Sequence, residues 1–161
     1  MPARRVPVRI LPGCRGRIPA GELRRVATHV LQSEDVAPNV EVEVTLADSG
    51  TVRELNRLYR GRDEPTDVLS FAANEGEAFV ISPDEAPTLG EIVICLPVAE
   101  AQASAAGRGV AGEVAHLLVH GLLHVLGYDH EDSDAESKRM QAREDALLAD
   151  LGYAGQYAHG H

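Results

Sequence analysis

Three histidines stand at positions 120, 124 and 130 of the segment HGLLHVLGYDH, with a glycine at 127. This is the spacing of the H-E-x-x-H-x-x-G-x-x-H motif of zinc hydrolases. Imidazoles four residues apart on a helix project from one face and can share a cation. A glycine just past the helix can take the left-handed conformation that reverses a chain, which would return His130 toward His120 and His124. Three neutral imidazoles around zinc leave a fourth position open, the layout of a catalytic site rather than a structural one. His120, His124 and His130 are therefore the candidate ligands of one Zn2+ per chain. His116 continues the row one turn earlier and is expected to be a packed residue or an orienting partner. His29 is expected to be structural, and His159 and His161 carry little weight in a terminal tail.

The motif departs from the hydrolase pattern at one place: Gly121 stands where the general-base glutamate belongs. Such bases contribute ~100- to 10,000-fold to rate, so a peptidase without one should be poor. Glycine inside a helix also costs about 1 kcal/mol relative to alanine; open space beside the metal, admitting a bulky substrate, is the expected compensation. A zinc-bound water already has its pKa lowered to about 7. RNA brings its own 2′-OH nucleophile, and cleaving its phosphodiester chiefly requires stabilisation of negative charge by a cation and an arginine.

These residues need a scaffold, and the hydropathy pattern outlines one. Residues 4–11 read as a first strand, at an edge because of Pro7. A helix follows over 20–33, with Leu23, Val26, Ala27, Val30 and Leu31 on one face. Residues 39–47 alternate strictly, as a half-buried strand does. Thr51 and Glu54 suggest a capping box for a helix carrying Leu55 and Leu58 and ended by Gly61. Strands are expected at 67–73 and 89–96, with a polar loop at 74–88 that holds a short hairpin strand near 78–81. Pro97 suits the first turn of a third helix. The histidine helix should fill roughly 109–126 and a last helix 132–151. The fold class is α+β: a small mixed sheet of about four strands with helices packed on it, and a central metal-binding helix followed by a glycine turn. One domain covers 1–161, with its core in roughly 1–152 and a flexible tail at 153–161.

The composition permits such a core, since 44% of the 161 residues are hydrophobic. No apolar run is long enough to span a bilayer, and the arginine- and proline-broken N-terminus is a poor secretion signal. Cys14 and Cys95 are too few for a disulfide framework. A cytoplasmic, membrane-free setting is expected. The net charge of −10 argues against a protein that coats itself in nucleic acid. Yet residues 1–62 hold eleven basic residues against seven acidic ones, whereas residues 63–161 hold four against eighteen. Such asymmetry can mark a basic surface for a polyanion, or merely a solvated one.

Beyond the histidines, LNRLYRGRDEPTDVLSF (55–71), LGEIVIC (89–95), VAHLLVHGLLHVLGYDHE (114–131) and the pair Met140 and Glu144 resemble, in order, segments of the YbeY endoribonucleases. The resemblance covers roughly residues 40–152. It implies a zinc-dependent, single-strand-specific endoribonuclease of ribosomal RNA maturation, acting at the 3′ end of the small-subunit 16S rRNA and in ribosome quality control. It implies as partners single-stranded RNA, the small ribosomal subunit and its associated proteins, and no DNA. It also implies that His120, His124 and His130 are the zinc ligands and that Arg60 is the functional arginine, suited by its guanidinium fork to phosphate. Thr66, Asp67 and Ser70 would line the cleft or serve the fold, and Asp129 and Glu131 would orient histidines or face water. SFAANE departs from the family's SFP, and Glu91 stands where aspartate is common. Two competitors remain: a metal-dependent peptidase, and a non-catalytic ribosome-assembly factor with a structural zinc.

Overall fold

The computed structural model describes residues 5–73, 88–128 and 133–157. The alternating segment forms β2 (Glu41–Ala47), and the buried apolar run forms β4 (Thr88–Cys95). They pair in parallel, flanked by β1 (Val8–Ile10), parallel to β2, and by β3 (Val68–Ala72), antiparallel to β4. The order β1-β2-β4-β3 is the expected mixed four-stranded sheet, with β1 at an edge. Five α-helices accompany it among the described residues: α1 (Ala20–Ser33), α2 (Ser49–Arg60), α3 (Leu96–Ala105), α4 (Val110–Val125) and α5 (Asp134–Asp150). The class is α+β, as expected.

Alternation along the strands sorts side chains between two layers. Val42, Val44, Leu46, Ile92 and Ile94 enter the main core with α1, α4 and α5. Ala47, Leu69, Val93 and Cys95 face the other way and pack with Val52 of α2 in a smaller cluster. Helix α4 is the centre of the main core. Its Leu117, Leu118, Val119, Leu122 and Leu123 are all fully buried, which is why its sequence reads as apolar nearly all round.

Two local expectations change. Helix α2 is capped by Asp48, whose carboxylate accepts from the Thr51 backbone N–H at 2.7 Å, rather than by a Thr51–Glu54 box. An aspartate at the N-cap satisfies an orphan donor at least as well as threonine. Leu58 is 58% exposed, because Val52 and Asn56 form the buried face of α2. Part of the segment expected to be loose is docked: Tyr157 is buried, and Arg108 donates to its carbonyl. The expected hairpin strand near 78–81, His159 and His161 lie outside the described residues.

Candidate active site

Helix α4 places His116, His120 and His124 in one row, with ring centroids 6.2 Å apart for the first pair and 4.7 Å for the second. Burial falls along the row. His116 is 1% exposed, whereas His120 and His124 sit half-buried toward the C-terminal end. Glu144, one turn after the buried Met140 on α5, meets the row from the side. Its Oε1 lies 3.0 Å from His116 Nε2, and its Oε2 lies 2.5 Å from His120 Nδ1. Burial pushes the Glu144 carboxyl up, but the hydrogen bonds to His116 and His120 outweigh it and hold the group down at about 2. An ionised carboxylate only accepts, so both ring nitrogens facing it donate. His120 therefore carries its proton on Nδ1, which makes Nε2 the ring nitrogen with the lone pair. Carboxylate-backed histidines of this kind are the usual ligands of metals.

The inner end of the row is closed by Tyr157, whose ring stacks on His116 at 4.8 Å and whose hydroxyl donates to Asp145 at 2.5 Å. At the outer end, α4 stops in the manner foreseen. Gly127 adopts a left-handed φ of 104°, and the Tyr128 N–H reaches back to the Leu123 carbonyl at 2.9 Å. The Tyr128 hydroxyl donates to Glu34 at 2.7 Å, and the Arg139 guanidinium lies over its ring at 4.9 Å. The turn is thus pinned to α1 and α5. His130, Asp129 and Glu131 lie outside the described residues. Among the described residues no three potential ligands form a metal cluster; His120 and His124 supply two members of the expected set.

Gly121 has a different physical role from the one expected. It is buried, and a Cβ there would come within 3.0 Å of both Ile92 Cγ2 and Ser70 Oγ. The missing side chain makes room for the sheet and not for substrate, and it lets α4 settle on β3 and β4. A glutamate at this position would be driven into the sheet.

Arg60 ends α2 and donates from Nη2 to the Ser70 carbonyl at 2.7 Å, with its guanidinium 5.0 Å from the Phe71 ring centre. Ser70 therefore receives Arg60 on its backbone and packs its hydroxyl against Gly121, the neighbour of His120. Ser70 thus touches both the arginine and the histidine helix. Asp67 instead serves the fold: it accepts from Val68 N–H at 2.8 Å and from Gln102 of α3 at 3.3 Å. Thr66 hydrogen-bonds to that same carboxylate. His29 sits 3.0 Å from Asp150, a structural contact between α1 and α5. Sequence inspection singled out Glu144 only within a family pattern and assigned it no role. Its i−4 partner Met140 is the one local sign that it faces inward.

A family model described as endoribonuclease YbeY matches residues 16–152, which contain Arg60, His116, His120, His124, His130 and Glu144. The chain belongs to the YbeY endoribonuclease family. Among its YbeY relatives, that of Roseiflexus castenholzii is 42% identical over 147 residues, covering 91% of this chain and 92% of the relative. That of Moorella thermoacetica is 46% identical over 142 residues, covering 83% and 90%. A solution structure of a Thermotoga maritima protein superposes with a TM-score of 0.55 at 26% identity, covering 90% of this chain and 91% of the other. The YbeY match ends before Tyr157, so the ring stacked on His116 is contributed from beyond the matched residues.

Proposed function

We propose that this chain is a zinc-dependent endoribonuclease of single-stranded RNA, acting in the cytoplasm on the 3′ end of small-subunit 16S ribosomal RNA during maturation and quality control. Its partners on this reading are the small ribosomal subunit and its associated proteins. The observation that carries it is the carboxylate-fixed tautomer of His120, on the same helix face as His124 and next to the turn that leads to His130. Two imidazoles in this register, one already oriented by a buried carboxylate, fit a divalent cation with nitrogen preference. His120, His124 and His130 would hold it. When bound, such a cation supplies Lewis-acid polarisation of a phosphoryl oxygen and a water of lowered pKa.

The chain's own groups do the rest. Arg60, held at the edge of β3 by the Ser70 carbonyl, offers a fixed cationic fork to the negative charge that develops on phosphate. Glu144 keeps the His120 proton on Nδ1 throughout. Position 121 is filled by the sheet and has no room for the glutamate of peptidases; this disfavours a peptidase.

The test pairs a metal assay with cleavage of a synthetic single-stranded RNA by wild type, Arg60→Ala and His120→Ala. Wild type should carry one zinc and cut. Arg60→Ala should keep zinc and lose most cleavage, and His120→Ala should lose both. Unimpaired RNA cleavage by metal-free protein would reject the proposal. The fragment ends identify the nucleophile: a cyclic phosphate marks the RNA 2′-OH, and a 3′-hydroxyl marks water.

A further inference from the structure

The exposed large hydrophobic side chains of the described residues are two neighbours on one helix end, Leu58 at 58% and Tyr59 at 64%. Tyr59 is not isolated. Its ring meets Phe71 edge-to-face with centroids 5.4 Å apart, and Phe71 in turn carries the Arg60 guanidinium 5.0 Å from its centre. Tyr59, Phe71 and Arg60 thus form a continuous surface of two rings and one planar cation at the junction of α2 and β3. Phe71 directly follows Ser70, which packs against the histidine helix at Gly121. Side chains alternate along a strand, so Phe71 faces the α2-side cluster while Ser70 faces α4, and the surface reaches the site around the β3 edge of the described sheet.

Edge-to-face contact with Phe71 holds the Tyr59 ring while leaving most of it exposed to solvent, and Arg60 beside it favours an anion-bearing ligand. Two apolar side chains are too little surface for the desolvated centre of a protein–protein contact, which buries about 800 Å2 per partner. A single ring, however, is all a nucleobase needs. Unstacked bases of single-stranded RNA lie on aromatic rings and guanidinium planes, while a cation tracks the phosphate beside them. We infer that Tyr59, backed by Phe71, is a stacking platform for one nucleobase of the single-stranded RNA whose phosphate meets Arg60. Tyr59 is then a substrate-positioning residue that accepts any base. The inference rests on the RNA-cleaving reading above and is independent of which metal the histidines hold.

The chain contains no tryptophan, so Tyr59→Trp installs a single reporter at the platform. The full chain is mixed with a short single-stranded RNA, and Trp fluorescence is followed by stopped flow before cleavage accumulates. Single-stranded RNA should quench it; a duplex of the same sequence and inorganic polyphosphate, which offer charge without free bases, should not. Tyr59→Ala should bind single-stranded RNA about 10-fold more weakly or worse, with Tyr59→Phe within about twofold of wild type. Quenching by polyphosphate alone, or wild-type affinity in Tyr59→Ala, overturns the platform. A wild-type chain that binds no RNA overturns the platform together with the nuclease reading, whereas RNA binding indifferent to Tyr59 removes the platform alone.

Discussion

Glu144 Oε2 lies 2.5 Å from His120 Nδ1 while its other oxygen holds His116, so one buried carboxylate from α5 orients two imidazoles of α4. Loss of such a partner costs metal sites about 10- to 100-fold in affinity. Glu144→Gln, which keeps the shape but can accept through only one oxygen, should fold and bind zinc in that range more weakly, as read by competition with a chromophoric chelator. Glu144→Ala should also lose about 1–3 kcal/mol of stability by denaturant unfolding, because buried ring donors lose their acceptor. Unchanged zinc affinity in Glu144→Gln would show that His120 is oriented by something else.

Gly121→Ala sets two effects against each other. Alanine gains about 1 kcal/mol of helix propensity, but its methyl would sit 3.0 Å from the Ile92 side chain and from Ser70 Oγ. Overpacking typically costs about 1–3 kcal/mol, and Ile92 is fully buried between sheet and helix. The net expectation is a destabilised protein, measured as a lower Tm, where an open site would give a raised one. Gly121→Glu should disrupt the packing of α4 on the sheet and create no peptidase.

Tyr157 couples the chain's end to the row of histidines. Tyr157→Ala removes a buried ring and should cost about 3 kcal/mol, with faster proteolysis of the C-terminal segment. Tyr157→Phe keeps the stack on His116 and loses only the bond to Asp145, so its cost should be nearer 1 kcal/mol. Equal losses in the two variants would mean that the hydroxyl, and not the ring, secures the segment.

Glu91 and Glu43 are direct partners on adjacent strands. Burial, then the Glu43 charge, pushes the Glu91 carboxyl above its ordinary value of 4.5, against a smaller opposing pull from Arg9. The folded state therefore holds this proton to higher pH than the unfolded chain. Its contribution to stability is fully present below 4.5 and is lost as pH rises through the folded value. Glu91→Gln should be more stable than wild type at pH 7, with the gap closing below the ordinary glutamate range. Denaturant midpoints across pH 4–8 measure it, and a constant gap would refute the linkage.

The element plan was legible because it is written in local periodicity. Residues 20–33 of the expected helix coincide with α1, Pro97 opens α3, and Gly61 and Gly127 stop their helices where foreseen. Finer choices between competing local signals were not. Asp48 and Thr51 both suit a cap, and only the path of the chain into α2 selects Asp48. Likewise Leu58 is apolar, yet Val52 and Asn56 form the buried face of α2 and leave it in solvent.

For the site, sequence alone determined that His116, His120 and His124 share a helix face, since 3.6-residue periodicity is a property of the backbone and needs no partner. Tertiary structure decided everything that crosses between elements. Glu144 reaches His120 across 24 positions of chain, and Tyr157 reaches His116 across 41. Arg60 is brought to the histidine helix by Ser70 on the intervening strand, which touches both. The meaning of Gly121 also lay there. A missing side chain looks like free space in a sequence, and only close packing shows that a neighbouring strand has taken it.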